Sequence, residues 1–439
     1  MIARVTPLRH RLAGGLILTG LILQVIGFLP RLGLSSWAGA ALWLAMALMW
    51  RDIPGRTRWQ AGVLAALGLA LLVLAEWQHD IRFDWTLLPA GNVYVVAMLV
   101  GVSFVALIGR DQGGAAQPGT GRTGAVGMFQ TWFGVHFLGI ILNLSTVFMV
   151  GDRLARQGAL QLPQLLALNR GLSSAALWSP FFASMGVVLT LAPDMEYSQI
   201  LLVGFPVAML AGLISTLDLR RHHDLSTVAG FSLSPRSLLM PVLMAGLVML
   251  FYQVITPGLG IVSIITFLMP LTALLTNALA GRHRFRRRMV QHVQQRLPMM
   301  RGEISLFLAA GLLTLGLSTY IEAVAGGDWT LFARFGAAEA SISLVVVVLS
   351  AVAGLHPIIG ISVLASMLTL EAGEQTLFGF MALGAWAVGT SAGPLSGINL
   401  SLQGRYGVSG YRMMRHNLVY AGMLLLVVLA ALWLLAALK

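Results

Sequence analysis

The sequence predicts an all-α polytopic membrane protein with about 10–12 transmembrane helices. Three observations lead to this fold class: 57% of the 439 residues are hydrophobic, only 10% are charged, and the mean hydropathy is +0.84. Soluble domains are about 25% charged, so this chain lacks the polar surface of a soluble enzyme or a nucleic-acid-binding protein. Cysteine is absent, which excludes disulfides, thiolate catalysis and Cys-ligated metals.

Most apolar residues fall in runs long enough to cross a bilayer, which takes about 20 residues. In chain order these runs are 13–29, 36–50, 60–76, 92–109, 127–150, 199–217, 238–255, 258–280, 304–325 and 417–438. Two further regions, 155–192 and 340–402, are equally apolar but contain Pro, Gly and Ser at several positions. We therefore expect irregular backbone in these two regions.

The positions of the charges predict an orientation. The net charge is +12, and basic residues cluster in alternate connections such as 51–58, 220–221 and 282–301. Because Arg and Lys are retained on the cytoplasmic side, we expect a retained first span, a cytoplasmic N terminus and a bacterial inner membrane. The charge thus indicates orientation in a lipid bilayer and no nucleic-acid partner. The run 281–288 has a second interpretation, as a site for anionic lipid head groups.

A Gly-rich segment, 113–124, indicates a flexible linker. It leads to a predicted division of the chain into parts. These are a four-helix scaffold bundle at 1–110, a cytoplasmic linker at 111–126, a first transport repeat at 127–217, connecting spans with a basic cytoplasmic loop at 218–303, and a second transport repeat with a terminal helix at 304–439.

The first broken region contains adjacent hydroxyls and a Ser-Pro pair. Ser173, Ser174, Ser179 and Pro180 all lie within one apolar stretch. Proline frees a backbone carbonyl, and in lipid such a break persists only where protein buries it or a cavity adjoins it. The alternative is a Pro-kinked helix whose serines bond back to their own carbonyls.

The second broken region repeats this pattern weakly. Ser350 precedes a His356-Pro357 pair, which aligns with Ser179-Pro180 at a separation of 177 residues. Duplicated halves with interrupted apolar segments at corresponding positions indicate the binding site of a transporter. We therefore expect two internal repeats, each with a re-entrant hairpin and an interrupted helix.

The strongest local signal is the segment 389–399. Its Gly, Pro and hydroxyl residues are incompatible with a regular helix interior. We expect an unwound centre between two half-helices, where N–H groups favour an anion and carbonyls hold a cation. The alternative is close packing of small residues. The candidate ligands and break residues in this segment are Thr390, Ser391, Pro394, Ser396 and Asn399.

These motifs together resemble the ion transporter superfamily, which includes divalent-anion/sodium symporters, arsenite-pump membrane subunits and sodium/proton antiporters. The resemblance implies that Ser173 and Ser174 form the first hairpin tip, that Ser350 lies at or near the second, and that 390–399 is an unwound helix. In the first half, only Gly204 and Pro206 mark a corresponding unwound helix. The repeats of this superfamily are inverted, whereas the charge pattern puts both predicted hairpins on one face.

Ionisable residues inside apolar segments are costly and are candidates for function. His356 is the best placed, and His136 has the alternative of a structural hydrogen bond. Arg170 and Arg334 are candidates for binding a substrate anion or for anchoring at the interface. Glu322 and Glu339 are candidates for coupling, with a wet interfacial position as the alternative.

The sequence therefore favours a secondary active transporter that moves a small anionic solute by alternating access, coupled to H⁺ or Na⁺. No catalytic residue, metal site or other cofactor is expected, and the resemblance implies a homodimer. The alternative function is an integral membrane enzyme acting on a lipid-linked glycan. Such an enzyme needs a large outer loop that gathers Arg, His and carboxylates, and the longest outer connection, 77–91, is short.

Overall fold

The computed structural model describes residues 8–28, 32–79, 81–108, 121–233, 236–279, 281–326 and 329–438. Within these ranges the chain is helical and contains no β-strand. The helices are α1 (Leu8–Ile26), α2 (Ser35–Met49), α3 (Gly55–His79), α4 (Val93–Ser103), α5 (Gly124–Leu142), α6 (Ser145–Ala155), α7 (Leu162–Ala175), α8 (Ala183–Leu191), α9 (Tyr197–His222), α10 (Arg236–Leu250), α11 (Ile261–Leu279), α12 (Arg282–Gln291), α13 (Leu297–Met299), α14 (Arg301–Ala325), α15 (Ala337–Val352), α16 (Pro357–Ser366), α17 (Ala372–Ala392), α18 (Gly397–Tyr406) and α19 (Gly410–Ala437).

The fold class predicted from composition is confirmed. In the part of the chain that the structure describes, nine helical segments are long and apolar enough to cross a membrane. Helices α15 and α16 are apolar but shorter. The protein is therefore an all-α polytopic membrane protein, in which some apolar helices are too short to span.

The chain divides into two compact units that are not contiguous in sequence. Unit 1 comprises Met1–Gln112, Val248–Leu331 and Ser362–Thr369, and unit 2 comprises the rest. Unit 1 thus contains α14, which the sequence assigned to the second repeat, and α11, which it assigned to connecting spans. The predicted linker lies mostly outside the described residues, since 109–120 are not described.

In unit 1, α3 and α14 approach each other backbone to backbone. A Cβ added to Gly316 would collide with the backbone of Gly68, and one added to Gly68 would collide with the backbone of Leu312. In the turn between α2 and α3, Asp52 accepts hydrogen bonds of 2.9 Å from Arg9 and His10 on α1. Small residues therefore join α3 to α14, and a charged turn joins α1 to the start of α3.

In unit 2, α5 and α6 form a helical hairpin. The backbone N–H of Phe231 donates to Thr131 on α5 at 2.8 Å, and the Arg153 guanidinium on α6 lies 5.7 Å from the centre of the Phe231 ring. The end of α6 therefore returns to the first half of α5. The turn, called tip 1, is at 143–144, where Asn143 has a positive φ of 51°.

Helices α7 and α8 are two halves of one interrupted crossing. Asn169 on α7 donates to Asn399 on α18, whose own amide lies 3.4 Å from the Ser391 carbonyl at the C-terminal end of α17. The N–H of Asp194, just after α8, donates instead to Gln375 near the N-terminal end of α17. The α7–α8 segment therefore runs the length of α17 in the opposite direction. Its non-helical centre, called break 1, is at 176–182 and contains Pro180.

The second half of unit 2 repeats this order. Helices α15 and α16 form a hairpin, since Gly360 packs against Val347. Its turn, called tip 2, is at 353–356, where Gly354 has a φ of 112°. Helices α17 and α18 are separated by break 2, at 393–396. Each repeat is thus a hairpin, an interrupted helix and a long helix, and α9 and α19 are the long helices, of 26 and 28 residues.

This arrangement corrects the sequence-based assignment of the first repeat. The region 155–192 was expected to be the first hairpin, and it is instead the interrupted crossing α7–α8. The region 127–150 was expected to be one span, and it contains the hairpin. Helix α9 runs through Gly204 and Pro206 without a break. Because α7–α8 and α17 are antiparallel, the repeats are inverted, and Ser179-Pro180 corresponds to break 2 and not to His356-Pro357.

Candidate functional site

Each hairpin tip in unit 2 packs on the break of the helix that follows it. Near tip 1, the hydroxyl of Ser179 in break 1 donates to the carbonyl of Ile140 at 2.9 Å. Near tip 2, a Cβ on Gly389 would lie 2.9 Å from Pro357, and one on Gly393 would lie 3.0 Å from the Ala351 carbonyl oxygen. Glycine is needed at these two positions because the Pro357 ring and the Ala351 methyl group lie against Gly389, and the Ala351 backbone lies against Gly393.

The carbonyls that break 2 releases are bound by side-chain amides. Asn399 Nδ2 donates to the carbonyl of Gly393 at 2.9 Å, and Asn417 Nδ2 donates to that of Ser391 at 2.8 Å. Ser396 caps α18 by accepting from the N–H of Asn399 at 3.3 Å. These bonds replace the lost helical ones, as buried backbone groups require. The expectation that carbonyls here are free to hold a cation is therefore corrected.

Three asparagines from three helices form one closed cluster. Asn169 Nδ2 donates to Asn399 Oδ1 at 2.8 Å, and Asn417 Nδ2 donates to Asn169 Oδ1 at 3.3 Å. All three residues are buried. The cluster joins the first repeat, through α7, to the second, through α18 and α19.

Arg170 extends this cluster toward the end of α9. Its guanidinium is fully buried and lies 2.8 Å from the Asp218 carboxylate. It also donates to Asn417 Oδ1 at 2.8 Å and to the carbonyls of His416 and Ser215 at 3.0 and 3.4 Å. The arginine is thus engaged on Nε, Nη1 and Nη2 by protein acceptors. It is an internal ion pair, which corrects its interpretation as an interfacial anchor or a substrate-anion ligand.

His136 is locked in one neutral form by its neighbours. The indole N–H of Trp178 donates to its Nε2 at 3.1 Å, and its Nδ1 lies 3.0 Å from the Ser174 hydroxyl and 3.2 Å from the Gly171 carbonyl. Nε2 is therefore an acceptor and Nδ1 carries the proton. The structural interpretation of His136 fits this geometry.

Ser173 and Ser174 lie within α7 and not at a hairpin tip, which corrects their predicted position. Their hydroxyls donate to Arg170 and Gly171 carbonyls at 3.3 and 3.1 Å. Their small size lets α7 pack closely on α5, where Gly171 lies against the Trp132 backbone. The alternative interpretation, serines bonded back to their own helix, describes these two residues.

The other sequence-predicted residues divide into two groups. Thr390 and Ser391 end α17 and donate to carbonyls of their own helix at 2.7 and 2.8 Å. Ser350, near the end of α15, does the same with Val347 at 2.8 Å. The residues that lie in the breaks or tips or at their edges are Ser179, Pro180, His356, Pro357, Pro394, Ser396 and Asn399.

His356 caps α16 from tip 2. The N–H of Ile358 donates to its Nδ1 at 3.2 Å, and its ring meets the edge of Trp386 with the centres 5.2 Å apart. With Nδ1 as acceptor, the neutral imidazole carries its proton on Nε2. His356 is thus a hydrogen-bond donor in the turn that packs on break 2.

The remaining charged candidates are peripheral. Glu339 Oε2 accepts from the N–H of Gly336 at 3.0 Å and so caps α15. Glu322 lies in the last turn of α14, and Arg334 is exposed just before α15. These positions agree with the alternative of a wet interfacial location. Among the described residues, no three His, Asp or Glu side chains are grouped so as to hold a metal ion.

Sequence reasoning missed tip 1 and its flank. Asn143 and Ser145 are half-buried there. The hydroxyl of the neighbouring Thr146 is buried and has no hydrogen-bond partner among the described residues. An unpaired buried hydroxyl costs about 1–3 kcal/mol. The available signal was an Asn-x-Ser-Thr sequence in the middle of an apolar run, which reads as a turn once α6 is recognised as too short to span.

Comparisons with known proteins give a similarity in structure and none in sequence family. No protein-family model matches the sequence, and no curated protein matches it. Among solved structures, the Alcanivorax borkumensis YdaH transporter is similar with a TM-score of 0.48 and 17% identity, over 85% of this chain and 98% of that chain.

Proposed function

We propose that the protein is a secondary active transporter that moves a small anionic solute across the membrane by alternating access. The observation that carries this proposal is the pair of inverted repeats, each with a hairpin tip packed on a broken helix. Broken helices in inverted repeats form the binding sites of many transporters. Irregular backbone at membrane depth requires burial in protein or an adjoining cavity.

The solute and the coupling ion would bind at the tips and breaks. Half-helix N-termini favour anions because their N–H groups and dipoles point at the ligand. After break 1, α8 begins at Ala183, and its N-cap residue, Phe182, provides no side-chain cap. At tip 2, the Nε2–H of His356 adds a donor. Ser179 and the prolines of the breaks, Pro180 and Pro394, would keep this backbone non-helical, so that its N–H groups can bind the ligand.

A coupling ion would have to be held by oxygens that the protein does not already use. Carbonyl oxygens of Ser391 and Gly393 in and beside break 2 accept asparagine amides, so they are unsuitable ligands. The best candidate ligand for a coupling ion near tip 1 is the unpaired hydroxyl of Thr146. Asn143 and Ser145 lie beside it in the sequence. Both H⁺ and Na⁺ remain candidates for coupling.

The chain would lie in a bacterial inner membrane with its N terminus in the cytoplasm, because its basic connections would then be on the side that retains Arg and Lys. We also propose a homodimer, which chemical cross-linking in native membranes tests.

The transport proposal is tested with purified protein in liposomes. Uptake of labelled carboxylates and oxyanions is measured under imposed proton and sodium gradients, with protein-free liposomes as the blank. Gradient-dependent accumulation of one solute is the expected result. Turnover of a lipid-linked glycan without flux of any solute would replace the proposal with the enzyme alternative.

Thr146→Val then tests the location of the site. Valine has the same shape without the hydroxyl, so we expect weaker uptake together with a folded protein that is as stable or more stable. Thr216→Val is the matched control, because the Thr216 hydroxyl bonds to its own helix at Gly212. Equal uptake by both variants would remove Thr146 from the site.

A further inference from the structure

The end of α9 contains a His–Asp pair that no part of the proposed site uses. His222 Nδ1 lies 3.0 Å from Asp218 Oδ1 and 3.0 Å from the Asp218 backbone carbonyl. The His222 side chain is 55% exposed, whereas that of Asp218 is 5% exposed. The pair therefore connects the surface of unit 2 to a buried carboxylate.

The direction of the proton in this pair follows from its geometry. Nδ1 of His222 faces two oxygens, so it must carry the hydrogen. The other nitrogen, Nε2, is then the free base. The imidazole of His222 is more than half exposed, so a proton from the solvent has access to it.

Beyond Asp218, an unbroken series of polar contacts leads inward. Asp218 lies 2.8 Å from Arg170, Arg170 Nε donates to Asn417 at 2.8 Å, and Asn417 Nδ2 donates to the Ser391 carbonyl at 2.8 Å. Ser391 is two residues before break 2. Three buried side chains thus connect the surface histidine to the interrupted helix.

We propose that His222 and Asp218 form the proton-binding site of the protein and that its occupancy controls break 2. This inference rests on the proposed function, since it names the proton as the coupling ion of the proposed transporter. A hydronium ion gives a proton to Nε2 of His222, and the Nδ1 proton moves to Asp218 Oδ1. One O–H bond of hydronium and the Nδ1–H bond break, while an Nε2–H bond and a carboxyl O–H bond form. The products are water, a neutral imidazole and a neutral carboxyl group.

Protonation of Asp218 removes the negative charge that is paired with Arg170. Its buried positive charge loses its counter-charge, and an uncompensated buried charge is costly. The guanidinium is then drawn toward its remaining acceptors, which include Asn417. Because Asn417 also holds the Ser391 carbonyl, a shift of Asn417 weakens the bonds that keep break 2 in its present form.

Several other charged or titratable groups lie near the His222–Asp218 pair. Groups that act electrostatically on or beside Asp218 are Arg170 on α7, His222 at the end of α9, His223 just after it, and His416 and Tyr420 on α19. Arg412 and Arg415 lie beside His416. His223 and His416 pack with ring centres 5.9 Å apart. Only His222 is hydrogen-bonded to the Asp218 carboxylate among these histidines, so it is the residue to change.

The test is hydrogen exchange of the full-length protein in lipid nanodiscs between pH 5.5 and 8, corrected for intrinsic exchange rates. In the wild type we expect protection of peptides that cover 389–400 to fall at least twofold from pH 8 to pH 5.5. His222→Gln should abolish this step. His10→Gln is the matched control, since His10 bonds Asp52 in unit 1 at 2.9 Å, and it should leave the step unchanged.

Asp218→Asn provides a second variant that mimics the protonated carboxyl group. It should show low protection of 389–400 at every pH. A pH step that persists in His222→Gln, or uniform protection at all pH values in the wild type, would overturn the proton site. Hydrogen exchange requires no substrate, so it tests the proton site independently of transport. If no solute is taken up in liposomes but the pH step in exchange is present, the proposed function is contradicted and the proton-binding site is supported.

Discussion

Asn399 Nδ2 donates a 2.9 Å hydrogen bond to the carbonyl of Gly393, across break 2 from the first turn of α18. The same side chain accepts a bond from Asn169 at 2.8 Å. One amide therefore stabilises the interruption in the second repeat and ties it to the first.

Asn399→Ala should destabilise unit 2 by about 1–3 kcal/mol, because it leaves the buried Asn169 amide without its acceptor. It also removes one of the two hydrogen bonds to the Gly393 carbonyl, which keeps only the N–H of Ser396. The measurement is the midpoint of denaturant unfolding in detergent micelles. Gln199→Ala, which removes an exposed amide on α9, is the control and should change stability by less than about 0.5 kcal/mol. Similar midpoints for both variants would contradict a stabilising role of the cluster.

Arg170→Met should cost about 3–5 kcal/mol, because it leaves the Asp218 carboxylate buried without its main partner. The double variant Arg170→Met/Asp218→Leu should be more stable than the single one, since two apolar residues need no partners. A double-mutant cycle on unfolding free energies measures the coupling. Strictly additive effects would mean that the pair contributes nothing as a pair.

Gly316→Ala should destabilise the protein by about 1–3 kcal/mol, because the added methyl group would press on the Gly68 backbone, which has no side chain that could move away. Gly422→Ala on α19 is the matched helix-interior control, since nothing lies within 4 Å of the position of its Cβ. There the loss of glycine flexibility should stabilise by about 0.5–1 kcal/mol. Opposite shifts in melting temperature are the expected result, and equal shifts would refute the close approach of α3 and α14.

Asp52 should give unit 1 a small acid-sensitive contribution. The hydrogen bond from His10 and the charges of Arg9 and Arg301 hold the pKa of Asp52 below its ordinary value, against the opposing effect of burial. A carboxyl group with a lowered folded-state pKa stabilises fully above its unfolded value of about 3.9, and this stability is lost as the pH falls through the folded pKa. We expect at most about 1 kcal/mol, since the pair is at the surface.

The measurement for Asp52 is unfolding stability between pH 7 and pH 3 in wild type and Asp52→Asn. The difference between the two should shrink as the pH falls and should also shrink at high salt, where exposed charges are screened. A constant difference across this range would show that the Asp52 charge has no part in stability.

The sequence predicts the membrane class and the position of break 2 because both depend on local composition. The adjacent Gly393 and Pro394 interrupt the helix because glycine is a poor helix former and proline lacks a backbone N–H. The first hairpin could not be predicted in the same way, since an apolar hairpin and an apolar span of equal length have nearly the same composition. Only Asn143 distinguishes them, and its significance depends on α6 being short, which packing decides.

The buried polar contacts were also out of reach of sequence reasoning. Arg170 and Asp218 are 48 residues apart, and Arg170 and Asn417 are 247 residues apart. No spacing rule connects such positions, because the connection depends on α7, α9 and α19 meeting in space. Sequence reasoning marked Arg170 as unusual and could not identify its partners.

The distance along the chain between Arg170 and its partners has a consequence for biosynthesis. At about 5–20 residues per second, the ribosome needs roughly 12–50 s after Arg170 to deliver Asn417. Asp218 follows Arg170 by 48 residues and is synthesised within roughly 2–10 s, so it is the charged partner for the rest of this interval. A nascent chain without α19 should therefore hold an arginine that has its ion-pair partner but lacks its hydrogen bonds to Asn417 and His416 until the last helix arrives.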